Sequence, residues 1–292
     1  MVEATGPAPR ARRRDGRSGA WHDELITTRV SVDGRRVSYA HGGRGLPVLF
    51  LHGWGLDHES YRRALRRLTA RGCHVLAPSL PGFGGSDELP VRERTLIGYA
   101  RWVERFLQAT GVDEPIVVLG HSFGGGRVLQ ACAEYPERVG RAIIIDSHLQ
   151  LHDGEPRIRS SELRPKKIYP TYEAARARFR LIPADNRAAP YIINYIAEHS
   201  IKRVDDGYTW KFDDTQPRLV IHHNVSSLLK RIVIPVSYVY GDHSIIVPHE
   251  HAAEIVAHIH NCRGPIAIPE SHHHVMLDQP LSLVATLRAL LY

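Results

Sequence analysis

Ser122 stands in the spacing Gly120-x-Ser122-x-Gly124, at the end of the apolar run Val117-Val118-Leu119. A helical pattern follows, with Val128, Leu129, Ala131 and Cys132 among its apolar positions. A serine hydroxyl attacks a carbonyl only when its backbone presents it openly and a base takes its proton. A strand, a sharp turn and a helix meet the first need. The turn holds the serine in a strained conformation, and glycines two places to either side remove side chains that would collide there. The helix that follows aims free N–H groups and its positive end at the serine, which suits a developing oxyanion. The chemistry indicated is acyl transfer through a serine ester.

The elements that must position this serine read as alternating strands and helices. Residues 27–32 and 35–39 alternate in polarity around Asp33-Gly34, a hairpin pattern. Residues 47–51 form a short apolar run, as a buried parallel strand does. A helix is expected over 60–68, a strand over 74–77 and a helix over 96–109. The serine's own strand is expected over 115–119 and its helix over 126–134. A further strand, 141–145, ends in Asp146. The alternation then breaks over 149–228, where Pro165, Pro170, Pro183 and Pro190 interrupt a stretch rich in Arg and Tyr. It resumes with a strand in 232–240, a helix over 249–260, a strand over 265–268, a loop at 271–274 and a helix over 280–291. This order predicts an α/β fold, with a mostly parallel twisted sheet flanked by helices on both faces.

Three motifs resemble the α/β-hydrolase fold superfamily. They are the Gly-x-Ser-x-Gly turn, His52-Gly53-Trp54-Gly55 after the strand at 47–51, and Pro78-Ser79-Leu80-Pro81-Gly82-Phe83-Gly84-Gly85-Ser86. The resemblance covers about 35–148 and 229–292. It implies a core over 21–148 and 229–292 and an inserted, mainly helical cap over 149–228. It also implies an oxyanion hole made by the amides of Trp54 and Phe123, and a chain order of serine, acid, histidine. The loop Ser271-His272-His273-His274-Val275-Met276-Leu277-Asp278-Gln279-Pro280 is similar to the superfamily's Gly-His-x-x-x-Leu-Glu-x-Pro ending, which places the base at His273, with His272 and His274 as alternatives. The usual acid position after the following strand falls on Ser244, in Gly241-Asp242-His243-Ser244. Asp146 is the expected substitute and Asp242 the alternative. Asp278 is expected to help start the last helix. Gly53, His121 and Trp210 are the expected substrate contacts. A nucleophilic serine argues against the dehalogenases and epoxide hydrolases of this fold, which attack with aspartate.

Composition narrows the function classes. With 292 residues, 43% hydrophobic and 24% charged, the chain can bury a large core. Three cysteines fit a reducing compartment, and a cytoplasmic location is expected. No apolar run approaches the roughly 18–20 residues of a membrane span. Arg12-Arg13 lacks a following apolar segment, so an export signal is not expected. Five arginines against two acids in residues 1–19 supply +3 of the formal charge of +7. Residues 1–20 therefore read as a disordered basic tail rather than a nucleic-acid arm. No His-Glu-x-x-His or Cys-x-x-Cys spacing occurs, so neither metal nor cofactor is expected. Tyr169, Tyr172, Phe179, Tyr191, Tyr195, Tyr208, Trp210 and Phe212 in the insert suggest an apolar or aromatic small-molecule substrate. A homodimer is left open. Three functions fit: a serine hydrolase of small esters, a hydrolase of C–C bonds beside a carbonyl, and a ligand receptor without turnover.

Overall fold

A computed structural model of the chain describes residues 25–153, 167–212 and 224–292. The expected basic tail, and Arg157, Arg159, Arg164 and Lys166 of the insert, lie outside the described residues. In chain order the core opens with β1 (Ile26–Val32), β2 (Arg35–Gly42) and β3 (Leu46–Leu51), then α1 (Arg62–Thr69) and β4 (Cys73–Pro78). It continues through α2 (Leu96–Thr110), β5 (Ile116–His121), α3 (Phe123–Glu134) and β6 (Val139–Ile145). The insert holds α4 (Tyr172–Ala177), α5 (Pro190–His199), β7 (Ile201–Val204) and β8 (Gly207–Trp210). The chain closes with α6 (Ser226–Leu229), β9 (Val236–Gly241), α7 (His249–His258), β10 (Cys262–Ile268), α8 (Val275–Asp278) and α9 (Pro280–Leu291).

The eight core strands form one sheet in the order β1-β2-β4-β3-β5-β6-β9-β10. Only β1–β2 and β2–β4 pair antiparallel; the rest are parallel. Asp33 and Gly34 both have positive φ (52° and 76°), which matches the twist of the β1–β2 hairpin. β3, β5 and β6 are almost wholly buried and rich in Val, Ile and Leu, because helices cover both their faces. Two apolar clusters result, one on each face of the sheet. The strand order reverses between β3 and β5, and open α/β sheets bind ligands in the crevice beyond the carboxyl ends of such neighbours. Leu51 of β3 pairs with Gly120 of β5, so the loops after both strands emerge side by side.

Three departures from the sequence reading have physical causes. α3 begins at Phe123, three residues early, because Gly124 and Gly125 are helical. A Cβ on Gly124 would lie 2.3 Å from the Leu51 carbonyl oxygen, and one on Gly125 1.9 Å from Ser147 Oγ. These glycines let the helix press against the sheet. Within the insert, which is expected to be mainly helical, β7 and β8 form a hairpin; its two-residue loop is Asp205-Asp206. Asp278 does not cap α9; its carboxylate accepts the amides of His272 (2.8 Å) and Arg187 (2.8 Å).

Gly124→Ala should lower the unfolding free energy by about 1–3 kcal/mol through overpacking. Gly126→Ala, whose Cβ would meet its nearest atom at 3.7 Å, should be neutral or gain about 0.5–1 kcal/mol. Urea melts of both variants measure this; equal losses would contradict the close helix–sheet contact.

Candidate active site

Ser122 lies between the last residue of β5 and the first of α3, with φ 50° and ψ −116°. A non-glycine residue in such a conformation costs about 1–3 kcal/mol and persists only when its surroundings hold it. Here three hydrogen bonds do so. The Ser122 amide donates to the Ile145 carbonyl (3.0 Å). Its own carbonyl accepts from the Gly125 amide (3.0 Å) and from Ser147 Oγ (2.9 Å).

His273, in the loop between β10 and α8, places Nε2 2.9 Å from Ser122 Oγ and Nδ1 2.7 Å from Asp146 Oδ1. Asp146 follows β6, has φ 45° and is fully buried. A buried carboxylate needs every donor it can find. Oδ2 accepts the Gly241 amide (2.8 Å), and Oδ1 also accepts Ser244 Oγ (2.8 Å). The Ser244 oxygen in turn accepts the amides of Ile246 (3.3 Å) and Val247 (3.2 Å), which leaves its one proton for Asp146. Asp242 points elsewhere: it is exposed and accepts the Ser271 amide (3.1 Å), bracing the histidine loop. The structure therefore brings Ser122, His273 and Asp146 together and leaves Asp242 out.

Among the described residues the amide of Trp54 has no backbone partner, and that of Phe123 opens α3, where helical N–H groups are unpaired. His52 pins the loop that carries Trp54. Its Nε2 accepts the Leu80 amide (2.8 Å) and its Nδ1 donates to the Gly53 carbonyl (2.8 Å). Gly53 has to be glycine, since a Cβ there would lie 2.7 Å from His121 Nδ1 and 3.3 Å from Ser122 Cβ. The rings of Trp54, Phe83 and Phe123 pack edge-on or tilted at 5.2–5.9 Å.

Two residues expected to touch substrate are buried. His121 is fully buried, and its Nε2 donates to the His273 carbonyl (2.9 Å); it supports the base from below. Trp210 is 9% exposed, and its ring packs on Tyr169 (5.5 Å) and Phe179 (5.9 Å) inside the insert. Sequence reasoning also missed Arg127. Its guanidinium carbon lies 3.3 Å from the Phe123 ring centroid, and Nη1 donates to the Phe123 carbonyl (3.0 Å). Burial pushes its pKa down to about 10. The signal was an arginine directly after the three glycines that open the helix. Among the described residues no group of three or more His, Cys, Asp or Glu is placed to hold a metal ion. No described helix is long and apolar enough to cross a membrane.

Comparison with known proteins adds kinship to this geometry. The family described as the alpha/beta hydrolase fold matches residues 47–280. A 2-hydroxy-6-oxo-6-phenylhexa-2,4-dienoate hydrolase from Burkholderia cepacia is 34% identical over 113 residues, which is 38% of this chain and 39% of that one. The chain thus matches only about two fifths of that curated relative's length. Among solved structures, a thioesterase domain from the curacin biosynthetic pathway superposes with a TM-score of 0.76 at 20% identity, covering 90% of this chain and 99% of that one. E-2-(acetamidomethylene)succinate hydrolase superposes with a TM-score of 0.75 at 20% identity, covering 92% and 99%.

Three histidines around the site are held neutral. Burial pushes His52 down to about 3, and burial together with the neighbouring His273 does the same to His274. Burial, then His273 and His274, hold His121 well below its ordinary value. In the unfolded chain these rings titrate near 6.5, so below that pH the unfolded state binds more protons and stability falls with pH. Each ring contributes a slope of up to about 1.4 kcal/mol per pH unit. The urea midpoint should be flat above about pH 7 and fall below about 6.5. A midpoint unchanged down to pH 4.5 would contradict neutral burial.

Proposed function

The chain belongs to the alpha/beta hydrolase fold family, and on that premise we propose that it is a serine hydrolase of small carboxylic esters or related acyl compounds. The observation that carries this reading is the continuous pair of hydrogen bonds from Ser122 Oγ to His273 Nε2 and from His273 Nδ1 to Asp146 Oδ1. His273 Nε2 takes the Ser122 proton as Oγ attacks the carbonyl carbon. The amides of Trp54 and Phe123 donate to the resulting oxyanion. His273 then passes the proton to the departing alkoxide, leaving an acyl-serine and an alcohol. Water, deprotonated by the same nitrogen, attacks the acyl group and releases the acid with Ser122 restored. Asp146 keeps the imidazole oriented and stabilises its cationic form.

The described part of the insert, residues 167–212, serves as a cap over this site. Three contacts support the reading. Tyr195 donates to Glu59 (2.5 Å), the Arg187 amide to Asp278 (2.8 Å), and His274 Nε2 to the Pro183 carbonyl (3.2 Å). They tie the insert to the segment after the Trp54 loop and to the histidine loop. The Trp54 and Phe123 rings, packed 5.2 Å apart beside the proposed oxyanion amides, favour apolar or aromatic acyl groups.

A second reading, hydrolysis of a C–C bond beside a carbonyl, is favoured by the partial match to the Burkholderia cepacia hydrolase. Product analysis with an ester and a ring-cleavage diketone separates the two. The Asp146–His273 contact supports turnover over the receptor reading, although Ser244 stands at the usual acid position.

Ser122→Ala should abolish hydrolysis of p-nitrophenyl butyrate with an unchanged urea midpoint. Asp146→Asn should lower kcat by about 10³–10⁴, as loss of a triad acid does. Asp242→Asn should stay within about tenfold of wild type, since it loses only one loop hydrogen bond. A large loss in Asp242→Asn beside a small one in Asp146→Asn would move the acid to the later loop.

A further inference from the structure

The turn over residues 81–86 has two sides. Phe83 points inward, edge-on to His52 (5.3 Å) and Trp54 (5.2 Å). Its glycines line a cleft of about 410 Å³ on the other side. Arg29 of β1, Arg36 of β2, Lys202 of β7 and Lys211, just past β8, converge on this cleft from both the core edge and the insert. Asp87 and Glu88 are its acids, and both already face arginines. Asp87 is held by the Arg36 side chain (2.9 Å) and amide (2.8 Å), and Glu88 by Arg94 (2.5 Å). Arg29 and Lys211 have no carboxylate within 4 Å among the described residues. The amides of Gly84 and Gly85 donate to no backbone acceptor there, and Gly84 is left-handed (φ 56°). Arg29 and Lys211, set over unpaired glycine amides, describe a receptor for an anion.

We propose that this cleft binds the phosphate groups of a phosphorylated small molecule. Donors approach from separate elements, which suits a tetrahedral oxyanion with several acceptor directions better than a flat carboxylate with one edge. A guanidinium fork grips two phosphate oxygens at once, and an ammonium adds a point charge. The volume falls in the range of small-molecule sites, about 300–1,000 Å³. The cleft also adjoins the proposed catalytic machinery. A Cβ on Gly84 would lie 3.0 Å from Asp57 Cβ, and Asp57 follows Trp54 by three residues. The phosphate belongs either to the tail of an acyl substrate or to a free phosphate that acts on the Trp54 loop.

Calorimetric titration of the full chain with inorganic pyrophosphate at about 50 mM salt, where surface charges are only partly screened, tests this. One equivalent should bind, and Arg29→Met/Lys211→Met should bind at least tenfold more weakly with an unchanged circular dichroism spectrum. Arg29→Glu, at an exposed position, should weaken binding on its own. No heat at millimolar pyrophosphate, or equal affinity in wild type and double variant, would overturn the proposal. The titration is repeated on Ser122→Ala, so its result stands apart from any turnover. Kinetics with pyrophosphate present then identify the source. A raised KM for butyryl-CoA but not for p-nitrophenyl butyrate assigns the cleft to a phosphorylated substrate tail. A change with both substrates assigns it to a free phosphate.

Discussion

The structure depends on one strained residue. Ser122 is held at φ 50° where β5 gives way to α3, and every neighbouring feature serves that posture. Ser147 and Gly125 hold its carbonyl, while Ile145 of the adjacent strand holds its amide. Gly53, Gly124 and Gly125 are small because the elbow, the helix and the β3 backbone approach too closely for a methyl group. The consequence is a hydroxyl presented at the crevice where the strand order reverses, beside the loop that brings Trp54.

The second constraint is a buried charge. Asp146 is sealed from water, so its three bonds, from Gly241, Ser244 and His273, replace hydration. This explains the serine at 244, where the superfamily's resemblance implies a carboxylate. A carboxylate there would stand within hydrogen-bond distance of Asp146, and two such charges cannot both remain ionised. With Asp146 at the end of β6 bonded to His273, position 244 has to donate rather than accept. Its lone pairs are occupied by the amides of Ile246 and Val247, which fixes the direction of its proton.

The core was legible because its signals are local. Apolar runs became β3, β5 and β6, and Asp33-Gly34 became a tight hairpin, since turn chemistry and burial act over a few residues. What was misread depends on direction or on distance. His121 precedes Ser122, yet strand neighbours face opposite sides, so it lies beneath the site. Trp210 sits in a β-strand whose loop, Asp205-Asp206, lacks the Asn-Gly pattern of a hairpin. Which of Asp146 and Asp242 meets His273 depends on the path of a loop, which no spacing encodes. The cationic cleft joins residues 29, 36, 202 and 211, far apart in sequence, and only the folded chain assembles it.

The central claim is that this arrangement activates one serine. Reaction of the full chain with a fluorophosphonate, followed by peptide mass spectrometry, tests it most directly. The account predicts one adduct per chain, on Ser122, lost in His273→Ala. Intact chain without an adduct, or an adduct on another serine that survives His273→Ala, would contradict it.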